Sequence, residues 1–197
     1  MEYASSVIGG YNINPNCVRV AVISYSDNAV VSIPWNRYND RNSLQQAVRQ
    51  LRLLGGGSNL ANAFSLLSNT VLPGKRSNAA LIAVVVTDQI QSSQQLTSAA
   101  NSLKSQGVTI IAVGITRQGR VDGNTLNAIS TNNNYAVSVG DYSQLAGVVS
   151  RVTQQWGCFV VTPPTPAPPS RCYCVLTLFS GIIAPSVVVS STHFFVV

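Results

Sequence analysis

Two stretches of the sequence carry residue types that bind a metal ion through oxygen. The apolar run 83–86 stops abruptly on a hydroxyl and a carboxylate, Thr87 and Asp88. Ser58 lies thirty residues before Asp88, in the segment Gly55-Gly56-Gly57-Ser58-Asn59. Hydroxyl and carboxylate oxygens are ligands that Mg²⁺ accepts. The pattern therefore predicts two parts of one metal site, Ser58 and Asp88. The predicted ligand-binding loop residues are Gly57, Ser58, Asn59, Asp88 and Gln89.

The surroundings of Asp88 support this interpretation. A run rich in β-branched residues is typical of a strand that is buried on both faces. An acid at the carboxyl end of such a strand lies where open α/β sheets have their ligand crevice. The chain has only six acidic residues among 197, so an acid at this place is conspicuous.

Hydrophobic periodicity predicts the elements that must position these residues. Apolar residues recur at helical spacing in some segments, and β-branched runs separate them. A hairpin is expected at Ser26-Asp27-Asn28. Strands alternating with helices indicate an α/β fold with a doubly wound, mostly parallel sheet. The predicted strands are 18–25, 29–33, 79–87, 108–115 and 135–139, and the predicted helices are 42–54, 60–71, 96–105, 122–130 and 141–156.

The composition changes after Cys158. Residues 159–171 are rich in proline and predict a stiff, extended linker. Residues 172–197 contain no formally charged residue, but Gly181 and Pro185 make them a poor membrane-spanning helix. We expect a disordered or irregular tail. An anchor segment, the first strands of a further domain and translated non-coding sequence all stay open for it, and so does membrane contact.

Composition and motifs exclude two classes of function. The net charge of +6 comes from ten Arg and two Lys that are dispersed, whereas nucleic-acid binding needs clustered charge. His193 is the only histidine, and in the tail we do not expect it to reach a crevice. The glycine-rich segment joins two helices, unlike a phosphate-binding loop that follows a strand. We therefore expect neither a nucleic-acid-binding protein nor an enzyme.

The order of elements resembles the von Willebrand factor type A domain family from about Val18 to Cys158. The motifs that agree are Arg19-Val20-Ala21-Val22-Ile23-Ser24-Tyr25-Ser26-Asp27, Gly55-Gly56-Gly57-Ser58-Asn59, Val84-Val85-Val86-Thr87-Asp88, Gly107-Val108-Thr109-Ile110-Ile111-Ala112-Val113-Gly114-Ile115 and Tyr142-Ser143-Gln144-Leu145. The resemblance implies a non-catalytic ligand-binding module that often holds Mg²⁺ at the top of its sheet. Ser58 matches the family's threonine ligand, and Asp88 matches its aspartate ligand.

The chain departs from the family pattern in one respect. The family's first strand, which ends in Asp-x-Ser-x-Ser, has no counterpart before Val18. One hydroxyl and one carboxylate leave most of the six Mg²⁺ positions to water, so we expect weak or lost binding. We also expect a gap in mid-sheet between the strands that contain Val18 and Val84. The domain, residues 1–158, is interpreted as N-terminally truncated, which would also account for the absence of a signal peptide.

The resemblance implies an extracellular protein-binding or adhesion module of a matrix or cell-surface protein, with a collagen-like or other matrix ligand. The alternative is a metal-independent structural or assembly component of the extracellular matrix. Cys17 and Cys158 flank the predicted sheet, and in this topology both are expected opposite the ligand loops, so we predict a disulfide between them. Free thiols are the alternative. Cys172 and Cys174 could link chains into a disulfide-bonded oligomer.

Overall fold

A computed structural model describes residues 5, 8–52, 54–77, 79–116, 119–145 and 147–148, and three short strands between 172 and 196. An eight-stranded sheet organises the protein. Its central path runs β2-β1-β8-β3-β4-β5, and helices cover both of its faces. The strands are β1 (Val22–Tyr25), β2 (Ala29–Ile33), β3 (Ala79–Thr87), β4 (Val108–Ile115), β5 (Ala136–Val139), β6 (Cys172–Val175), β7 (Leu178–Ser180) and β8 (His193–Val196).

The helices follow the predicted order. The α-helices are α1 (Arg41–Arg49), α2 (Leu60–Leu66), α3 (Gln94–Ser105) and α4 (Gly123–Ile129). A π-helical turn, Leu67–Val71, extends α2 to the predicted end. α1 ends five residues earlier than predicted, at Arg49. The predicted last helix begins as the single turn Tyr142–Gln144, and its later part, like the proline-rich linker, lies outside the described residues.

The prediction of an α/β fold with parallel strands is confirmed. β3, β4 and β5 run parallel, and β3 and β4 have the predicted bounds. Residues Leu81 to Thr87 of β3 are buried without interruption, as the β-branched run requires. Alternate residues then face two separate cores: Val85 packs with α2, α3 and α4, whereas Val84 packs on the side of α1.

The hairpin between β1 and β2 is also confirmed. The two strands pair antiparallel, with Tyr25 opposite Ala29. β1 is shorter than predicted, because Val18 lies outside it in a single bridge to Ile13. The turn places Ser26 and Asp27 directly after the carboxyl end of β1, at the edge where the candidate site lies.

The tail corrects two expectations. Residues 172–197 were expected to be irregular, but three segments of them form strands of the sheet. The expected gap between β1 and β3 is filled by β8, which pairs antiparallel with both neighbours. The edges of β1 and β3 that face each other are therefore both hydrogen-bonded to β8, which avoids the cost of burying unpaired backbone groups. Among the described residues, none of the helices has the length and hydrophobicity that crossing a membrane requires.

One half of the predicted disulfide can be checked. Cys17 is disulfide-bonded and buried, with 7% of its surface exposed. Cys158, its predicted partner, lies outside the described residues. The pairing of these two cysteines stays a prediction, while the alternative of a free Cys17 thiol is wrong.

Candidate functional site at the carboxyl edge of the sheet

The candidate site forms where β1 and β3 end. Because β8 is antiparallel to both strands, β1 and β3 run in the same direction, and their carboxyl ends share one edge. Tyr25 ends β1, Thr87 ends β3, and Asp88 follows directly. The loop before α2 brings Ser58 to the same edge. Ser58 and Asp88 are 8% and 7% exposed, so both predicted ligands are nearly buried.

Tyr25 is the residue around which these side chains meet. Its phenol is fully buried, and burial, reinforced by the negative charge of Asp88, raises the pKa of Tyr25 well above its usual value. The neighbouring hydroxyl groups of Thr87 and Ser58 lower the pKa of Tyr25, but their effect is smaller than that of burial. The Tyr25 hydroxyl therefore stays neutral at physiological pH and lies close to all three of Ser58, Thr87 and Asp88.

Two hydroxyl groups fix the loop that follows β3. Ser58 Oγ donates to the Gln89 carbonyl oxygen over 2.7 Å, and Thr87 Oγ1 donates to the same oxygen over 2.5 Å. The Ser58 bond joins the glycine-rich segment to the Asp88 loop across about thirty residues of sequence, whereas the Thr87 bond lies within that loop. Since a hydroxyl that donates its proton keeps its lone pairs, Ser58 retains the capacity to accept or coordinate.

Hydrogen bonds at the start of α2 hold the residue next to Ser58 in place. The Asn59 side chain caps α2 by accepting from the Asn62 N–H, at 3.1 Å. The Asn59 N–H donates to the Ser26 carbonyl oxygen over 2.6 Å. Asn59, rather than Ser58, is therefore the cap, which leaves the Ser58 hydroxyl available to the site.

Asp27 is a site residue that the sequence analysis treated only as part of a turn. Its Oδ1 accepts a hydrogen bond from the Gly57 N–H at 2.9 Å. A Cβ on Gly57 would lie 2.5 Å from the same oxygen, and one on Gly56 would collide with the other carboxylate oxygen. Gly56 also has a φ of +121°, which disfavours side chains. The glycines are thus needed for the close approach of Asp27.

A cleft of about 370 Å³ opens beside these residues. Gly57, Ser58 and Asn59, three of the five predicted loop residues, line it, whereas Asp88 and Gln89 are not among its lining residues. The remaining lining residues are Asp27, Leu60, Ala61, Gln91, Ser92, Ser93, Gln95 and Leu96. Six of the eleven lining residues carry amide or hydroxyl side chains and Asp27 adds a carboxylate, so the cleft is suited to a polar ligand group rather than an apolar one.

The sequence did contain a signal for Asp27. It lies two residues beyond the end of β1, and carboxyl ends of parallel strands meet at one edge. The signal was obscured because Asp is also common in hairpin turns, and because β1 had no predicted partner towards β3. Tyr25 was missed because an aromatic residue in a strand usually indicates core packing.

The described side chains fit a divalent metal only in part. Ser58 and Asp88 supply one hydroxyl and one carboxylate, and Mg²⁺ prefers six oxygen ligands. Within the part of the chain that the structure describes, no group of three or more His, Cys, Asp or Glu side chains could hold a metal. Mg²⁺ at this place would therefore depend mainly on water ligands.

The chain is similar to a known domain family and to several known proteins. The family model described as von Willebrand factor type A domain matches residues 1–151. The collagen alpha-1(XX) chain of Homo sapiens is 31% identical over 160 residues, covering 78% of this chain and 12% of that protein. The collagen alpha-1(XII) chain of Notophthalmus viridescens is 29% identical over 175 residues, covering 86% and 18%. The chain thus spans less than a fifth of the length of these relatives.

Solved structures give the same architecture. Proximal thread matrix protein 1 from the mussel byssus superposes with a TM-score of 0.71 at 15% identity, covering 78% of this chain and 39% of that one. Its form with a zinc-occupied MIDAS motif superposes with a TM-score of 0.68 at 21% identity, covering 77% and 40%. At these identities the likeness establishes the fold.

Proposed function

Because the chain belongs to the von Willebrand factor type A domain family, we propose that it is a non-catalytic, extracellular protein-binding module whose ligands engage the carboxyl edge of the sheet. The cleft beside Asp27 and Ser58 is the observation that carries this proposal. It lies at the strand ends where α/β folds bind ligands, and polar side chains from three loops converge on it.

The relatives support the extracellular part of the proposal. The curated proteins that the chain matches include several collagens, which are extracellular matrix proteins. We infer that the ligand is another matrix protein of the collagen class, and that the protein acts by adhesion rather than by catalysis. The Asp27 carboxylate and the Gln91 amide in the cleft would recognise amide and basic groups of such a ligand.

A metal ion would assist ligand binding at this site, but binding would not require it. The mussel neighbour has a zinc-occupied motif, so the fold accepts a divalent ion at such a site. Here Ser58 and Asp88 would hold it, and the ion would supply a positive charge for an acidic group of the ligand. We infer that Mg²⁺ binding through these two residues alone is weak.

The test is binding to immobilised fibrillar collagen, measured by surface plasmon resonance with and without EDTA. Ser92→Arg places a long cation in the cleft, where Ser92 is exposed, and we expect it to weaken binding about tenfold or more. Ser105→Arg is the matched control, because Ser105 is also exposed but lies at the far end of α3. Equal binding by the two variants would contradict the proposed site, and no binding by the unaltered chain would contradict the collagen class.

Assembly through the tail cysteines stays a separate proposal. Cys172 and Cys174 lie in β6, opposite Ala79 and Leu81 of β3. If they link chains, non-reducing electrophoresis should show oligomers that disappear on reduction. Monomers in both lanes would leave the metal-independent assembly role without support.

A further inference from the structure

Basic side chains gather at the edge of the sheet opposite the cleft. β1 and β3 begin at this edge, and β2, which is antiparallel to β1, ends there. Arg19 lies three residues before β1, Arg37 lies four residues after β2, and Lys75 lies four residues before β3. Cations that are dispersed in the sequence are thus brought to one edge by the fold.

Acidic residues are concentrated at the other edge. Asp27 and Asp88 follow β1 and β3, and Asp122 and Asp141 lie in the segments that follow β4 and β5. Within the described parts of the chain, Asp40 is the one acid on the basic side, where its carboxylate caps α1. The fold therefore separates positive from negative charge along the strand direction, and the basic edge has an excess of cations.

Arg19 is held in position by neutral acceptors. Its Nε donates to the Pro15 carbonyl oxygen at 3.2 Å, and its Nη1 donates to Asn36 Oδ1 at 3.2 Å. These bonds leave the Nη2 group without a partner among the described residues. Carbonyl and amide oxygens accept hydrogen bonds but carry no net charge. Arg19 is therefore an oriented guanidinium whose charge these two acceptors do not neutralise.

Hydrogen bonds and packing join the three segments into one surface. Arg76 Nη1 donates at 2.8 Å to the Pro15 carbonyl oxygen, which Arg19 also uses. The turn at Gly74 lies against the segment after β2, since a Cβ on this glycine would be 3.3 Å from Trp35 Cδ1. Because the backbone of all three segments is tied together, binding of a ligand requires little ordering of the loops.

Arg37 and Lys75 are the exposed members of this cluster. The Arg37 guanidinium lies 5.9 Å from the centre of the Tyr38 ring, a contact that leaves its charge in place. Among the residues with a described placement, neither cation forms an ion pair with an acid. Together with Arg19 they present three positive charges from three loops.

We propose that Arg19, Arg37 and Lys75 bind a sulfated polysaccharide at a site separate from the cleft. A guanidinium group matches the oxygen atoms of an oxyanion through paired hydrogen bonds. The cations lie on an open surface, which suits the closely spaced sulfates of a linear glycan. An acidic peptide would instead lose the rotamer freedom of each Asp or Glu side chain on binding. The extracellular collagen relatives support this choice of ligand.

The experiment measures binding of a heparin oligosaccharide to the full chain by calorimetry, at an ionic strength of about 0.15 M. Arg37→Gln combined with Lys75→Gln removes two charges from the cluster, and we expect the affinity to fall about tenfold or more. Arg52→Gln combined with Arg120→Gln is the matched control, because both arginines are exposed and the change in net charge is the same. The control pair should bind heparin nearly as tightly as the unaltered chain.

A further variant separates the shape of the cation from its charge. Arg19→Lys keeps the charge but loses the planar fork, so we expect an intermediate loss of about threefold. The melting temperatures of the two double variants should match that of the unaltered chain, because the four substituted side chains are exposed.

Three outcomes would overturn the proposal. Equal losses in the two double variants would mean that net charge, rather than this cluster, attracts the glycan. Polyglutamate that binds as tightly as heparin would mean that sulfate is not recognised, and an unaltered chain that does not bind heparin would leave no site to explain. The collagen assay with Ser92→Arg reports on the cleft alone, so the two proposals can fail separately.

Discussion

The two edges of β3 are paired in different ways. On one edge β4 runs parallel to it over seven residue pairs, from Leu81 opposite Val108 to Thr87 opposite Gly114. The other edge is paired by two short tail strands. β6 pairs with Ala79 to Ile82, and β8 pairs antiparallel with Val84 to Val86. A buried strand needs partners on both edges. The strand that pairs with the first edge is the next strand in sequence, whereas the strands that pair with the second edge belong to a distant segment.

The largest loss of stability should come from placing proline in the strands that pair with the two edges of β3. Val113→Pro removes a ladder N–H in the middle of β4 and should cost at least about 3 kcal/mol, enough to unfold much of the domain. Phe195→Pro makes the same backbone change in β8, which pairs over four residues with β1 and three with β3. We expect a smaller loss, because β8 pairs with only three residues of β3, whereas β4 pairs with seven.

Thermal unfolding followed by circular dichroism measures both variants. A melting temperature that falls as far for Phe195→Pro as for Val113→Pro would mean that the two edges contribute equally. An unchanged melting temperature for Phe195→Pro would mean that β8 does not complete the sheet in solution.

An intermediate loss of stability should come from a substitution at the contact between β4 and α4, the helix that follows it. Gly114 lies opposite Thr87, and a Cβ there would be 2.5 Å from both Leu126 Cδ1 and Val121 Cγ1. Gly114→Ala should therefore destabilise the protein by about 1 to 3 kcal/mol through overpacking. Chemical denaturation measures the change in free energy of unfolding.

Gly123→Ala is the matched control for this contact. Nothing lies within 4 Å of a Cβ at Gly123, the first residue of α4. The free energy of unfolding should stay the same or rise slightly. If both variants lose stability equally, the packing of α4 on β4 is not what makes Gly114 necessary.

The same comparison explains what could be predicted from the sequence. β3 and β4 have the predicted bounds because a continuous β-branched run specifies a buried strand locally. Ser58 reaches the Asp88 loop as predicted because the two segments flank adjacent elements of a regular α/β order. Local patterns were sufficient wherever the partner was a neighbour in the chain.

The rest depended on pairing between distant segments. The four residues of β8 are too short for a periodic signal, and their register with β1 and β3 involves segments more than a hundred residues away. Without that strand, the filled gap could not be predicted. Asp27 was missed for a related reason, since its role depends on β1 lying parallel to β3.

The smallest effect should come from the cap of α4, a local feature on the β4 side. The Asp122 carboxylate accepts from the Thr125 hydroxyl at 2.8 Å and from the Thr125 N–H at 2.9 Å. These bonds, with one from the Asn124 N–H, lower the pKa of Asp122. The stabilisation that Asp122 provides is therefore present above the ordinary Asp pKa of about 3.9 and is lost as pH falls through the lowered value.

Asp122→Ala should accordingly lower the melting temperature slightly at pH 7, and the difference from the unaltered chain should narrow below pH 3. Asp122→Asn is the control, because it keeps an oxygen acceptor at the cap but cannot titrate. A difference that is constant between pH 7 and pH 2.5 would contradict the charge-dependent part of the cap. Since Asp122 lies in solvent and holds only its own helix, its loss should leave the β8 edge unaffected. Hydrogen exchange of β8 in Asp122→Ala should therefore match that of the unaltered chain, which separates local stabilisation near β4 from the long-range pairing that completes the sheet.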